Sequence, residues 1–225
     1  WIRGFTIKTG LNLNLDDYNN VFFNVGYISK APRFNNIYDY DNNLYRDIKN
    51  ENVKAIEGGY SYRSRVFSAN LNTYYTVWEN KPSNGGIRVV IDDVTYRSNI
   101  NGMNALHQGV EMDFAYKIKQ NLTLEGLVSL GDWRWTSDDV VRFFDDNNNP
   151  VTDDSGNEII VDFDADGVHV GDAAQTQYGL SLRYEPTYNS YIKLRTTYFD
   201  DYYSDFDPLS LSGTNAGRES WKIPA

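Results

Sequence analysis

The stretch that most constrains this chain is Ala105 to Trp135, ALHQGVEMDFAYKIKQNLTLEGLVSLGDWRW. On its first arm Gln108, Val110, Met112, Phe114 and Tyr116 fall on one face, with His107, Gly109, Glu111, Asp113 and Ala115 on the other. The second arm sets Leu122, Leu124, Gly126, Val128 and Leu130 against Thr123, Glu125, Leu127 and Ser129. Successive strand side chains point to opposite faces of a sheet. This period of two therefore predicts one long β-hairpin, apolar on one face and polar on the other, closed by a tight turn within residues 117–121.

The same unit recurs along the chain. Alternation places further strands at about 4–15, 21–29, 54–63, 66–78, 173–184 and 191–200. Short turns at 16–20, 64–65, 117–121 and 185–190 alternate with long segments at 30–53, 79–104 and 136–172, rich in Asn, Asp and Tyr. Each strand carries one apolar and one mixed polar face. A soluble sandwich would hide the apolar face inside and use strands of about five or six residues. Strands near ten residues match the roughly 9–11 that cross a bilayer with tilt. Tyr62, Tyr116 and Tyr184 stand outward just before short turns, and Tyr27, Tyr75 and Tyr198 stand outward near the long segments. That is the placing of interfacial aromatic girdles. The pattern predicts an all-β, antiparallel transmembrane β-barrel. Eight strands can close a small barrel, but the Gly-rich polar inner face points to an arc of a wider one.

Composition removes several alternatives. With 31 acidic against 21 basic side chains the net charge is −10, which disfavours nucleic acid. There is no cysteine, so no disulfide or thiolate site, and His107 and His169 are too few for most transition-metal centres. No apolar run approaches the ~20 residues of a membrane helix, and mean hydropathy is −0.58. A membrane barrel survives that test because alternation averages its apolarity away. The chain starts at Trp1 without methionine or signal peptide and stops at SWKIPA, which reads like the lead-in to another strand, as expected of a fragment of a longer protein.

Several stretches resemble one family. NVFFNVGYISKAPRF (20–34), AIEGGYSYRSRVFSANLNTYYTVWENKP (55–82), HQGVEMDFAYKI (107–118), GVHVGDAAQTQYGLSLRYEP (167–186) and the final SWKIPA are similar, in order, to strands of TonB-dependent outer-membrane receptors. The resemblance implies that residues 1–225 are part of one twenty-two-stranded barrel domain in the outer membrane of a Gram-negative bacterium, here an arc of about eight long strands. It also implies an N-terminal plug filling the lumen, a segment before it that engages TonB, and import of a scarce extracellular ligand such as an iron chelate, cobalamin, a glycan or a peptide. Plug and closing strands are absent from the sequence. The partners so implied are outer-membrane lipid, the plug, the TonB system and a small ligand. The family's barrel glutamates meet plug arginines, and the resemblance carries this role to Glu57 in IEGGY and Glu111 in GVEMD. Both face the lumen by parity, six residues before Arg63 and Lys117, at a similar height and roughly 10 Å apart across two strand spacings. The alternative for both is a wet lumen wall beside Arg63 or Lys193. For the whole protein the alternatives are a passive porin or adhesin-like surface barrel, and then a soluble glycan-binding β-protein.

Other candidates are weaker. Asp162, Asp164, Asp166 and Gly167 spell the first half of a calcium loop, but Ala173 stands where the twelfth-position Glu is expected, and Asp and Gly are ordinary turn residues. No metal or cofactor is assigned. DDNNNPVTDD (145–154) reads as solvated loop. His107 faces the lumen, where it could touch plug or ligand or serve only structure. No Ser, His and acid arrangement sits at a recognisable elbow, so the chain is not read as an enzyme.

Overall fold

A computed structural model describes residues 3–34, 37–38, 44, 48–81, 87–91, 94–98, 102–145, 147, 149–206 and 208–224. The remainder of the expected long segments 30–53 and 79–104 lies outside the described residues. Twelve strands are described: β1 (Phe5–Asn14), β2 (Asn19–Lys30), β3 (Glu51–Arg63), β4 (Phe67–Lys81), β5 (Ile87–Ile91), β6 (Val94–Ser98), β7 (Met103–Lys119), β8 (Leu122–Trp135), β9 (Asp138–Phe144), β10 (Ile160–Asp164), β11 (Ala174–Thr187) and β12 (Ser190–Tyr202). Eight of them form one antiparallel sheet in the order β1-β2-β3-β4-β7-β8-β11-β12, while β10-β9-β6-β5 form a second. The large sheet does not close on itself; it is an arc. All eight strands of the alternating pattern are present, most of them longer than their expected bounds.

Three of the short turns are tighter than expected. β7 continues to Lys119 through a register slip after Lys117, leaving Gln120 and Asn121 as the turn. β11 continues through Pro186 to Thr187 with a slip after Tyr184. Proline cannot donate to the ladder, so a slip is where a strand tolerates it. At the first turn Asp16 accepts the Tyr18 and Asn19 amides at 2.7 and 2.8 Å, an Asx-type closure.

The register shows that the strands are tilted. The first turn falls beside the row Asn20, Ser61, Asn70, Asp113. The second falls two residues lower, at Arg63, Ser68, Ala115, and the third two lower again, at Lys117, Thr123, Arg183. A step of two residues (roughly 7 Å) per two strand spacings (roughly 10 Å) corresponds to a tilt of roughly 35°, within the range of closed barrels.

The apolar face is bare. Ile7, Leu11, Leu71, Met112, Leu180 and Leu194 all project from it and are exposed, Leu11 to 76% and Leu194 to 75%. A sheet can leave such a face uncovered only where lipid, not water, meets it. Near the turns the outward aromatics form a continuous belt across strands: Tyr18–Tyr62 at 6.4 Å between ring centroids, Tyr62–Phe67 at 6.1 Å and Phe67–Tyr116 at 6.4 Å.

The only hydrophobic core among the described residues lies at the other end. It gathers Met103, Ala105 and Trp135 from the tops of β7 and β8, Val141, Phe143 and Phe163 from β9 and β10, and Val168, Val170 and Leu211 from the following segments. The segment 136–172, expected to be irregular, is therefore a folded cap. Its strands are only five to seven residues long and bury side chains such as Val141, 0% exposed, and Phe143, 1% exposed. The segment after β12 straps onto it. Leu211 is buried there, the Ser204 amide donates to the Trp221 carbonyl at 2.9 Å, and Lys222 pairs with Asp200 and Asp201.

Candidate functional site

The polar face of the arc is the candidate site, because it is where side chains of mixed chemistry converge. Its middle is a wall of amides and hydroxyls that pair across strands. Asn20 donates to Asn12 and Asn14, Asn70 to Asp113 at 2.9 Å, and Ser129 to Glu111 at 3.3 Å. Such a wall is satisfied within itself yet offers both donors and acceptors to whatever lies against it. Phe22 is one of a few apolar exceptions, with Leu127 and Phe199; its ring lies over Gly59, where an added Cβ would meet it at 2.2 Å.

Glu57 and Glu111 both project from this face. Glu57 sits opposite Tyr74 of β4, whereas Glu111 sits opposite Asn72, two residues further toward the turns. With the tilt above, that offset is what keeps the two at equal height along the barrel. It also puts their Cα atoms roughly 12 Å apart, wider than the flat-sheet value of roughly 10 Å. Glu57 has no hydrogen-bond or ion-pair partner among the described residues. It lines a hollow of about 570 Å³ together with Lys8, Gly10, Gly26, Ala55 and Thr76. The small side chains of β1 to β3 make the hollow, and Lys8 and Glu57 give it both charges.

Above this level, toward the cap, the face becomes aromatic. His107 is held between Trp78 (5.7 Å between ring centroids) and Trp133 (5.5 Å). Trp133 donates its indole N–H to the Tyr74 hydroxyl at 2.8 Å. Gly109 makes that reach possible, since a Cβ there would lie 2.5 Å from the same hydroxyl. Lys81 lies over the rings of Trp78 (4.7 Å) and Trp135 (5.0 Å), and Glu51, 5% exposed, takes the Trp78 N–H and the Lys30 ammonium. Parity placed Tyr74, Thr76 and His107 on this face. The cluster itself was not legible, because Trp78 and Trp133 fall where alternation gives way to loop.

The calcium-like run does not assemble. Asp162 and Asp164 belong to β10, and the Asp164 carboxylate accepts the Asp166 amide at 2.9 Å. No group of three metal-capable side chains is brought together among the described residues. The segment 145–154 contains the first of two repeated loop closures. Asp145 accepts the Asn149 amide at 2.7 Å, and Asp153 the Asn157 amide at 2.8 Å. These bonds hold both carboxyls below the usual carboxylate range, with the bonds to Asn149 and Asn157 contributing most. His169 lies outside the wall, stacked on Tyr203 at 4.0 Å and bonded to Glu219 at 2.7 Å, so it fastens the strap to the cap.

Comparison with known proteins agrees with this geometry. The family profile described as TonB dependent receptor-like, beta-barrel, matches residues 3–224. No curated protein sequence matches the chain. Among solved structures, the FrpB iron transporter from Neisseria meningitidis (F3-3 variant) superposes with a TM-score of 0.55 at 18% sequence identity, over 86% of this chain. The chain spans 25% of that transporter's length, so the likeness concerns one arc of a much larger molecule.

Proposed function

The chain belongs to the TonB-dependent receptor-like β-barrel family of the bacterial outer membrane, and on that premise we propose that it is the lumen-lining arc of a receptor that imports a scarce extracellular ligand, driven through TonB. In this reading residues 1–225 are all part of one barrel domain, and a plug and closing strands are supplied by the rest of the protein. The observation that carries it is the bare apolar face set against a polar one: lipid outside, a wet or protein-filled lumen inside. The cap and its strap belong outside the cell and the short turns in the periplasm, since barrels of this membrane trim their periplasmic ends. The aromatic cluster of Tyr74, Trp78, His107 and Trp133 then lies at the outer mouth, where ring faces suit ligand contact. Glu57 and Glu111 face the plug, and its guanidinium groups would satisfy them through charge-assisted bonds.

The test is uptake by cells making the full-length receptor, with labelled iron chelates, cobalamin, glycans and peptides as candidate cargo. Uptake of one class that vanishes when the receptor or TonB is deleted supports the reading. Passage of small solutes through the purified protein in vesicles, indifferent to TonB, would instead make it a passive pore.

A further inference from the structure

His169 is set among carboxylates where β8, the cap and the strap meet. Its backbone makes an isolated bridge to Arg134 on β8, and its side chain is 14% exposed. Nδ1 lies 2.7 Å from one Glu219 oxygen on the strap, and Nε2 lies 3.8 Å from Asp132 on β8. The ring stacks flat on Tyr203, where the strap leaves β12. The other Glu219 oxygen accepts the His169 and Ser220 amides at 3.0 and 3.1 Å. Asp132 is shared, since Arg134 donates to it at 2.7 Å and Gln108 at 3.2 Å. Gly171 lets the strap come this close: a Cβ there would lie 2.5 Å from backbone atoms of Ser204 and Asp205. One imidazole thus lies against β8 and against both ends of the strap.

A carboxylate only accepts hydrogen bonds, so the Nδ1 facing Glu219 carries the hydrogen of a neutral ring. Nε2 is then a bare lone pair beside the Asp132 carboxylate. Protonation replaces that lone pair with a second donor. The charges around the ring favour the same state. The ionisable groups that face it are Asp132 and Arg134 from β8 and Glu219 and Tyr203 from the strap. Asp166 and Asp172 on its own segment are exposed or partly exposed at its flanks, Lys222 is taken up by Asp200 and Asp201, and Asp205 acts on Lys81. Arg134 offsets one of the two facing carboxylates, and a protonated His169 offsets the other. With a neutral ring one negative charge is left over.

We propose that His169 is a proton-operated fastener of the strap: protonated, it ties Glu219 on the strap to Asp132 on the barrel; neutral, it holds through Glu219 alone. What the strap covers gives this a consequence. Phe206 lies edge-on against Trp135 at 6.0 Å, and Trp135 is only 6% exposed. A loosened strap uncovers that ring and the Lys81 ammonium over it. The sign follows from the proton: the extra hold is complete below the ordinary imidazole value of about 6.5 and is lost as pH rises above it. That the medium sets this pH rests on the orientation given above. The fastener itself rests on the fold alone, so the import reading can fail while the fastener stands.

The test follows amide exchange of the full-length receptor in lipid vesicles from about pH 5.5 to about pH 8, across the imidazole range, with the pH dependence of intrinsic exchange divided out. The Ser204 and Gly217 amides, bonded to the Trp221 and Asp164 carbonyls at 2.9 and 2.8 Å, report the strap. The Val151 and Ile159 amides, bonded within the cap at 3.0 and 2.8 Å, are the control. Strap protection should fall about fivefold across this range, the upper end for an ion pair with an exposed partner, while the control stays level. H169Q keeps a donor and should hold the strap at a strength that no longer varies with pH. D132N lets Arg134 offset Glu219 and should also flatten the response with the strap in place. If H169Q fails to fold, as lost protection in β7 and β8 would show, D132N decides. Equal strap protection at both ends of the range in wild type, or a full pH response kept by folded H169Q or by D132N, would overturn the proposal.

Discussion

The lipid face gives the most quantitative prediction. Outward apolar positions on β8 run from Leu122 to Leu130, eight residue steps. At roughly 3.4 Å per residue and a tilt of roughly 35° they span roughly 22 Å of membrane thickness, close to the apolar band of about 25 Å on outer-membrane barrels. The midpoint is Gly126, whose partner on β11 is Leu180, 49% exposed. Leu180→Arg should therefore cost roughly 2–4 kcal/mol, since a cation at the midplane bears the full transfer penalty. Leu182→Arg lies one step nearer the periplasm and should cost less. Tyr184→Arg, at the girdle, should cost about 0–1 kcal/mol. On the lumen side the proper control is Ser129→Arg, because that side chain would enter beside Glu111, whereas Ser181 is only 7% exposed beneath Glu125 and a large residue there would clash. Urea unfolding of the full-length receptor in lipid vesicles reads the series, and 2–4 kcal/mol corresponds to roughly 30- to 1000-fold in the folding equilibrium. Equal losses at Leu180 and Ser129, or no gradient from Leu180 to Tyr184, would refute the assigned faces and the tilt together.

Four further outcomes follow. An epitope tag between Ser155 and Gly156 should be reachable on intact cells; a tag at Ser64 reachable in its place would invert the orientation. Leu211→Ala should loosen the cap by about 2–5 kcal/mol, the usual cost of truncating a buried leucine, seen as faster amide exchange across β9 and β10 while β7 and β8 are unchanged. The loop closures at Asp145 and Asp153 have depressed carboxyl pKa values, so their contribution is complete above the ordinary value of 3.8 and is lost as pH falls through the lowered ones. The Asn149 and Asn157 amide resonances should accordingly stay fixed down to about pH 4 and shift together below it. Glu57→Gln and Glu111→Gln, singly and together, should weaken plug retention or transport while sparing ligand binding at the outer loops, and double-mutant cycles against plug arginines should show coupling; wild-type uptake in the double mutant with no coupling would remove their assigned role.

The barrel was legible in the sequence because its code is short-range. Leu11, Leu71 and Leu194 announce the lipid face two residues at a time, and nothing from distant parts of the chain alters that parity. The cap was not legible for the opposite reason. Runs such as DDVVRFF and IVDFD become strands because Phe143 and Phe163 find a shared core with Trp135, at the end of the preceding long strand, and with Leu211, tens of residues further on. A β-branched and aromatic run bounded by Asn and Asp was the available signal, but its length overlaps with that of ordinary loop. The aromatic cluster shares this difficulty. Tyr74 meets Trp133 across 59 positions, and the glycine that lets it pass, Gly109, looks in sequence like any weak point in a strand.

The stagger of the strands decides how the lumen wall should be interpreted. In a flat sheet, hydrogen-bonded rows are levels, and Glu57 and Glu111 would stand at different heights because their partners on β4 are Tyr74 and Asn72. In a tilted arc each level climbs across the rows by about one residue per strand. Counting from the turns, six residues before Arg63 and six before Lys117, then gives the true height, and the two acids are level. The same count puts Arg63 and Lys117 together at the mouth, although they too lie in different rows. Lys8 on β1 and Arg195 on β12, six and five residues from their own turns, stand at about the level of the two acids, so the middle of the wall carries both signs of charge and the mouth at Arg63 and Lys117 is basic.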